Sequence, residues 1–252
     1  MIVEDFPVSE RPAAVIVGCE MLAFAASCVL HPFGWPRRES PRTPRRRDQR
    51  TVVLLPGYLA NRATLLPLAG YLRARGVSSL TYEYDSRHGI ERAAIGLREF
   101  LRRHVRGGRI DLVGHSLGGL IARTYLQELG GARRVDRCIT LGTPHRGTYN
   151  AYWLTSRVAR ELRPDSPLLA RLEASRPNAA SVRFTSIVAG SDNIVIPRVF
   201  ASGQREARED RDLVHVPHLG HMGLLFSPRV LKTVADRLLT SREQPALELV
   251  PA

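Results

Sequence analysis

The clearest pattern along the chain is a series of short apolar runs, each followed by apolar residues at helical spacing. Val52-Val53-Leu54-Leu55 is a continuous run of the kind that fills a strand buried on both faces. Pro56-Gly57-Tyr58 ends it, and Leu65, Leu66, Leu68, Ala69 and Leu72 then recur at helical spacing up to a stop at Gly76. Val77 to Tyr84 reads as a second strand. Ile90 to Val105 reads as a helix with Ile95, Leu97, Leu101 and Val105 in its apolar positions. A third strand begins at Ile110, and further strands are expected over Val135–Leu141, Arg183–Ala189 and Asp212–Val216. Leu224 to Leu239 reads as a closing helix. Strands alternating with helices predict an α/β fold: a mostly parallel sheet of about six strands with helices on both faces. This domain runs from Thr51 to about residue 245, with an insertion over about residues 148–181.

The third strand leads into Gly114-His115-Ser116-Leu117-Gly118-Gly119, and Leu120, Ile121, Ala122, Tyr125, Leu126 and Leu129 follow at helical spacing. A strand that turns sharply into a helix strains the residue at the turn and projects its side chain clear of the sheet. Glycines on either side leave room for such a turn. The free N–H groups and positive dipole end of the new helix then face any oxyanion formed there. Ser116 is therefore the candidate nucleophile. Against the bland reading of a turn serine stand the apolar strand before it and the helix after it.

At these residues the sequence resembles the α/β-hydrolase superfamily, and within it the bacterial lipases and esterases. Gly114 to Gly119 looks like their nucleophile elbow. Leu141-Gly142-Thr143-Pro144-His145-Arg146-Gly147-Thr148 looks like the segment after their next strand. The likeness covers about residues 50–240 and implies the α/β-hydrolase fold with a small helical cap insertion. In the resembled lipases the cap covers the active site and binds the acyl chain. Tyr149, Tyr152, Trp153, Leu154, Leu162, Leu168, Leu169 and Leu172 are the apolar residues here, with Tyr149 and Trp153 as the candidate substrate contacts. A segment needed only to cover the sheet is the alternative.

A serine hydroxyl needs a base, and the base an orienter; the resemblance to the α/β-hydrolases implies the chain order Ser, then Asp or Glu, then His. His31, His88 and His104 fall on the wrong side of the nucleophile, and His145 precedes the acid. His115 adjoins Ser116 and should point away from it; His215 lies inside the last strand, where packing should fix it. His218 and His221 remain. His221 is favoured because Leu219-Gly220-His221-Met222-Gly223-Leu224-Leu225 opens the final helix, as the histidine segment does in the resembled lipases. Asp192, just past the strand ending at Ala189, is the candidate acid; Asp210 and Asp212 are runners-up, and Asp165 reads as a helix cap. The oxyanion hole needs two backbone donors. Leu117 supplies one, and Tyr58 is the candidate for the other, where many relatives carry His-Gly and this chain carries Pro56-Gly57. No metal or organic cofactor is implied, and no calcium ligand cluster is visible.

Residues 13–30 are apolar apart from Glu20 and two small residues, and a run of this length is at the lower limit for a membrane span. A short anchor, an interfacial helix and a helix packed on the domain are all open readings. Glu20 weighs against a clean lipid-facing helix, and against the domain it would find an arginine. The acidic residues before the run do not suit a signal peptide. Residues 31–50 carry Pro32, Pro36, Pro41 and Pro44 and read as an extended linker. Within it Arg37, Arg38, Arg42, Arg45, Arg46, Arg47 and Arg50 face only Glu39 and Asp48, a balance suited to anionic headgroups. The expected location is membrane-associated, with the catalytic domain on the cytoplasmic side.

Net charge is +13, and Lys232 is the only lysine. That charge comes with no recognisable nucleic-acid module, so nucleic acid is not the expected partner. Cys19, Cys28 and Cys138 have no paired spacing, and Cys138 reads as a small core residue. The function expected is hydrolysis of carboxylic esters, lipid-like ones above all, through an acyl-enzyme on Ser116. An acyltransferase or thioesterase would use the same acyl-enzyme. A non-catalytic membrane-bound interaction protein on a hydrolase scaffold is the third reading.

Overall fold

The computed structural model describes residues 13–31, 50–105, 107–197 and 211–240. Six strands form one wholly parallel sheet: β1 (Thr51–Leu55), β2 (Ser79–Thr81), β3 (Ile110–His115), β4 (Val135–Leu141), β5 (Arg183–Ala189) and β6 (Arg211–Val216). Their order across the sheet is β2-β1-β3-β4-β5-β6, so the chain reverses direction beside β1. Helices α2 (Leu66–Arg73), α3 (Ile90–His104), α4 (Leu117–Glu128), α5 (Arg157–Glu161) and α6 (Pro167–Ala174) lie in the crossovers, α7 (Pro228–Leu239) follows β6, and α1 (Ala13–Leu30) precedes the first strand. This is the arrangement the alternating pattern predicts.

The apolar run of β1 has no break because both of its faces are covered. Successive side chains of a strand point to opposite faces. Val53 and Leu55 of β1 and Leu112 of β3 enter a core shared with Leu97 and Leu101 of α3 and Leu120 and Ile121 of α4. Val52 and Leu54 of β1 and Val113 of β3 enter the opposite core with Leu68 and Leu72 of α2 and Val230 and Val234 of α7. Cys138 is buried in β4, as expected of a small core residue. Burying a side chain of Leu or Val size contributes about 1.5–3 kcal/mol, so both faces of the sheet are needed to hold the fold.

Several elements differ from the sequence reading. The second strand shrinks from the expected Val77–Tyr84 to Ser79–Thr81, because β2 is an edge strand with only β1 to pair with. The last helix starts later than Leu224: Gly223–Leu225 forms a short 3-10 helix, and Ser227 then caps α7, with Pro228 in its first turn. Asp165 is not a cap. Ser166 caps α6 by accepting from the Leu169 N–H, and Asp165 accepts the Tyr152 hydroxyl at 2.7 Å. His215 lies in β6 but is exposed: its neighbours Val214 and Val216 turn to the core on the opposite face of the strand.

The N-terminal helix α1 lies on the domain near the C-terminal ends of the strands. Ala23 and Ser27 are buried, while Val15, Val17, Met21, Leu22, Phe24 and Val29 are exposed. At its end the His31 carbonyl accepts from Asn61 Nδ2 at 2.8 Å. Among the described residues Glu20 meets no arginine; its carboxylate accepts backbone N–H groups beside His221. Among the described residues, no helix is long and apolar enough to cross a membrane. The Arg37–Arg47 cluster lies outside the described residues.

Candidate active site

Ser116 sits between β3 and α4 with φ 51° and ψ −119°, a conformation that a residue bearing a Cβ rarely adopts. Its neighbours make the turn possible. A Cβ on Gly114 would lie 2.5 Å from the Gly119 nitrogen, and one on Gly118 would lie 2.4 Å from the Leu55 carbonyl oxygen. Both positions therefore demand glycine, for close packing of α4 on β3 and β1. The turn is held by the Ser116 N–H on the Leu141 carbonyl at 2.8 Å and by the Thr143 hydroxyl on the Ser116 carbonyl at 2.9 Å. Ser116 itself is half-buried.

His221 and Asp192 meet at the same edge of the sheet. His221 Nδ1 lies 2.8 Å from Asp192 Oδ2, and both residues are buried. The other carboxylate oxygen of Asp192 accepts from the N–H groups of Ile194 at 2.8 Å and Val195 at 2.9 Å. Burial alone would raise this carboxyl, but the bonds from His221 and the two amides outweigh it and leave the group below its ordinary range. A Cβ built on Gly142, the residue after Leu141, would lie 3.1 Å from His221 Nδ1. Ser116 and His221 thus converge on the Leu141–Gly142 peptide. Among the described residues no hydrogen bond joins the Ser116 hydroxyl to His221. In proteins without substrate such a contact is commonly long and tightens on binding.

The other candidates separate cleanly. His218 adopts φ 58° in the loop after β6, and its Nε2 has no hydrogen-bond partner among the described residues. Asp212 lies at the start of β6, at the far end of the sheet, in an ion pair with Arg237. Asp210 lies outside the described residues. His145 is buried, with Nε2 3.0 Å from the Thr140 hydroxyl, and helps to pack β4 rather than facing the serine.

Three supporting residues were not legible as such in the chain. His115 is fully covered beside His221, with ring centroids 4.8 Å apart and Nε2 3.4 Å from the His221 carbonyl. Burial, helped by the neighbouring His221, lowers its pKa to about 3, so it stays neutral. Thr148 donates to the Ile194 carbonyl at 2.8 Å and accepts the Ile196 N–H at 3.0 Å, tying the insertion to the loop that carries Asp192. Arg123 of α4 is buried and donates to the carbonyls of His145 at 3.0 Å and Leu172 at 3.2 Å. The first two stand next to, or inside, the segments that carry the family likeness; nothing in the spacing marks Arg123.

The Leu117 N–H opens α4 and belongs to the first-turn donors that have no partner within the helix. Tyr58 follows Gly57, whose Cβ, if it had one, would lie 3.3 Å from that of Ser116. The Tyr58 hydroxyl lies 3.4 Å from the Ser156 hydroxyl of the insertion. The insertion divides in two. Leu168, Leu169 and Leu172 are buried in the core beside α4 and do not line a cap, because the apolar face of α6 is consumed by the sheet's helical layer. Tyr149, Tyr152, Trp153 and Leu154 in the first half are exposed, Trp153 by 87%.

The order of this parallel sheet, with a strained serine between β3 and α4 and an Asp–His pair on the later loops, is that of the α/β-hydrolase fold. A family model described as palmitoyl protein thioesterase matches residues 90–199. Among solved structures, the chain is similar to the Bacillus licheniformis lipase BlEst2 in mature form, with 16% identity and a TM-score of 0.59 over 82% of this chain and 97% of that one. It is similar to Est1E from Butyrivibrio proteoclasticus at 14% identity and TM-score 0.55, covering 77% and 88% of the two chains. A thermophilic esterase from Thermogutta terrifontis matches at 16% identity and TM-score 0.53, over 76% and 90%.

Proposed function

We propose that the protein is a serine hydrolase of carboxylic esters with lipid-like acyl groups. Ser116 attacks the ester carbonyl while His221 takes its proton. His221 then returns that proton to the departing alcohol, leaving an acyl-enzyme on Ser116. Water, deprotonated by the same histidine, releases the acid. Asp192 holds the imidazole in the tautomer with a proton on Nδ1 and stabilises the imidazolium. The amides of Leu117 and Tyr58 hold the oxyanion. These side chains are sufficient for the chemistry, which calls for no metal or organic cofactor. The observation that carries this reading is the 2.8 Å contact of His221 with Asp192 beside a serine held at φ 51°.

A fluorophosphonate probe should label Ser116 in the wild type and leave Ser116→Ala unlabelled, and p-nitrophenyl esters of increasing chain length should be turned over only by the former. Absence of labelling would favour a non-catalytic role. A second reading keeps the acyl-enzyme and takes a thioester, or passes the acyl group to another acceptor. The palmitoyl protein thioesterase family match, which spans Ser116 and Asp192, favours it. Comparing a long-chain acyl thioester with the oxygen ester of the same acid separates the two.

A lipid surface is the proposed partner and location. The support is the exposed apolar side of α1, from Val15 to Val29, followed in the chain by Arg37, Arg38, Arg42, Arg45, Arg46 and Arg47 against Glu39 and Asp48, whereas Arg50 pairs with Asp111 and Asp136 of the domain. The exposed aromatic residues Tyr149 and Trp153 are the proposed acyl-chain contacts at the mouth.

A further inference from the structure

The single acidic residue of α1 is bonded to the loop that carries His221. Glu20 Oε1 accepts the Met222 N–H at 2.6 Å, and Oε2 accepts the Gly223 N–H at 3.0 Å. These two amides open the short 3-10 helix Gly223–Leu225, so they have no partner inside it. Charge-assisted bonds of this kind are roughly twice as strong as neutral ones. The carboxylate reaches them because residue 220 is glycine: a Cβ there would lie 2.2 Å from Glu20 Oε2.

The opposite side of the same loop is held by the Ser191 N–H on the Leu219 carbonyl at 2.9 Å. His221 therefore lies between two anchors. One runs to the loop of Asp192, and the other to a helix about 200 residues earlier in the chain. Among the described residues the His221 ring meets Asp192 and the His115 ring, and His115 Nε2 also lies 3.4 Å from the His221 carbonyl, the oxygen of the peptide that follows. Glu20 holds the N–H of that same peptide and of the next one.

We propose that Glu20 is a positioning residue for His221: it holds the Met222 and Gly223 amides and so sets where the imidazole stands between Asp192 and Ser116. The proposal rests on the hydrolase reading for its catalytic consequence and on geometry for the rest. Misplacing a proton-transfer group slows the chemical step without weakening substrate binding, so the loss belongs in kcat.

The test uses the full chain and three variants: Glu20→Ala, Glu20→Gln and Gly220→Ala. Activity is read on p-nitrophenyl esters after titrating active sites, and amide hydrogen exchange is read at Met222 and Gly223. Glu20→Ala should lower kcat by about tenfold or more with KM within about twofold. Glu20→Gln, which keeps one acceptor, should recover part of that loss. Gly220→Ala displaces the flexible carboxylate while leaving Glu20 in the chain. It should reproduce Glu20→Ala and stands in for it if that variant folds poorly. In all but the wild type the two amides should exchange faster. An active wild type with Glu20→Ala unchanged in kcat overturns the proposal, as does unchanged exchange at both amides. If the wild type hydrolyses no ester and takes no fluorophosphonate, the hydrolase reading fails and the exchange data alone decide whether Glu20 holds the loop.

Discussion

His221 presents Nδ1 to Asp192 Oδ2 at 2.8 Å, and Asp192 is held from behind by the amides of Ile194 and Val195. The carboxylate has no freedom to rotate away, so the tautomer of His221 is set by the fold. Asp192→Asn preserves the shape but donates where it should accept. Its kcat on ester substrates should fall by about 10³–10⁴, less than or comparable to the loss in Ser116→Ala. Full activity would move the acid to another carboxylate.

The same pair makes a pH-dependent contribution to stability. The Asp192 carboxyl lies below its ordinary range in the folded protein, so its stabilisation is present above about pH 4 and is lost as pH falls through the lowered value. The difference in melting temperature between wild type and Asp192→Asn should be constant near neutrality and close on acidification below about pH 4. A difference that widens there would reverse the sign.

His115 acts over a higher window. Folded, its pKa is about 3; unfolded, it returns to the ordinary value of about 6.5. Between these the unfolded chain binds the extra proton, so stability is full above about pH 6.5 and declines as pH falls below it. Urea midpoints measured from pH 8 to pH 5 should fall for the wild type and less steeply for His115→Gln. Equal slopes would show that another group carries the acid sensitivity.

Strain at the elbow should be visible as a trade of stability for function. Ser116→Ala keeps a Cβ at φ 51°, whereas Ser116→Gly can relax there. Both should be inactive, with Ser116→Gly more stable than Ser116→Ala by about 1 kcal/mol. Gly118→Ala should be destabilised by about 1–3 kcal/mol, because its Cβ meets the backbone carbonyls of Leu55 and Pro56 rather than a movable side chain. Thermal unfolding of the three variants checks the order.

The outer side of α1 predicts association with lipid. The full chain should float with vesicles containing anionic lipid, less so in high salt, and Leu22→Glu with Phe24→Glu should abolish the association while leaving ester turnover in solution intact. Flotation unaffected by the double substitution would assign the binding to another surface.

The first strand was readable because Val52 to Leu55, buried on both faces, is apolar throughout. Val135 to Leu141 and Arg183 to Ala189 mix polar residues such as Arg137 and Thr185 with apolar ones, and still have the expected ends. Ser116 was readable because the strained turn admits only small neighbours at Gly114 and Gly118, which leaves a local signature. His221 and Asp192 were candidates by chain order and likeness, with His218, Asp210 and Asp212 still open. Their pairing is a contact between two loops 29 residues apart, and only the register of β5 against β6 brings it about. Leu168, Leu169 and Leu172 show the limit on the other side: an apolar face looks the same whether it lines a pocket or covers a sheet. Glu20 shows it most sharply. A lone carboxylate in an apolar helix signals a partner but cannot name it, because backbone amides carry no mark in the sequence and become available only where the fold leaves a turn uncapped.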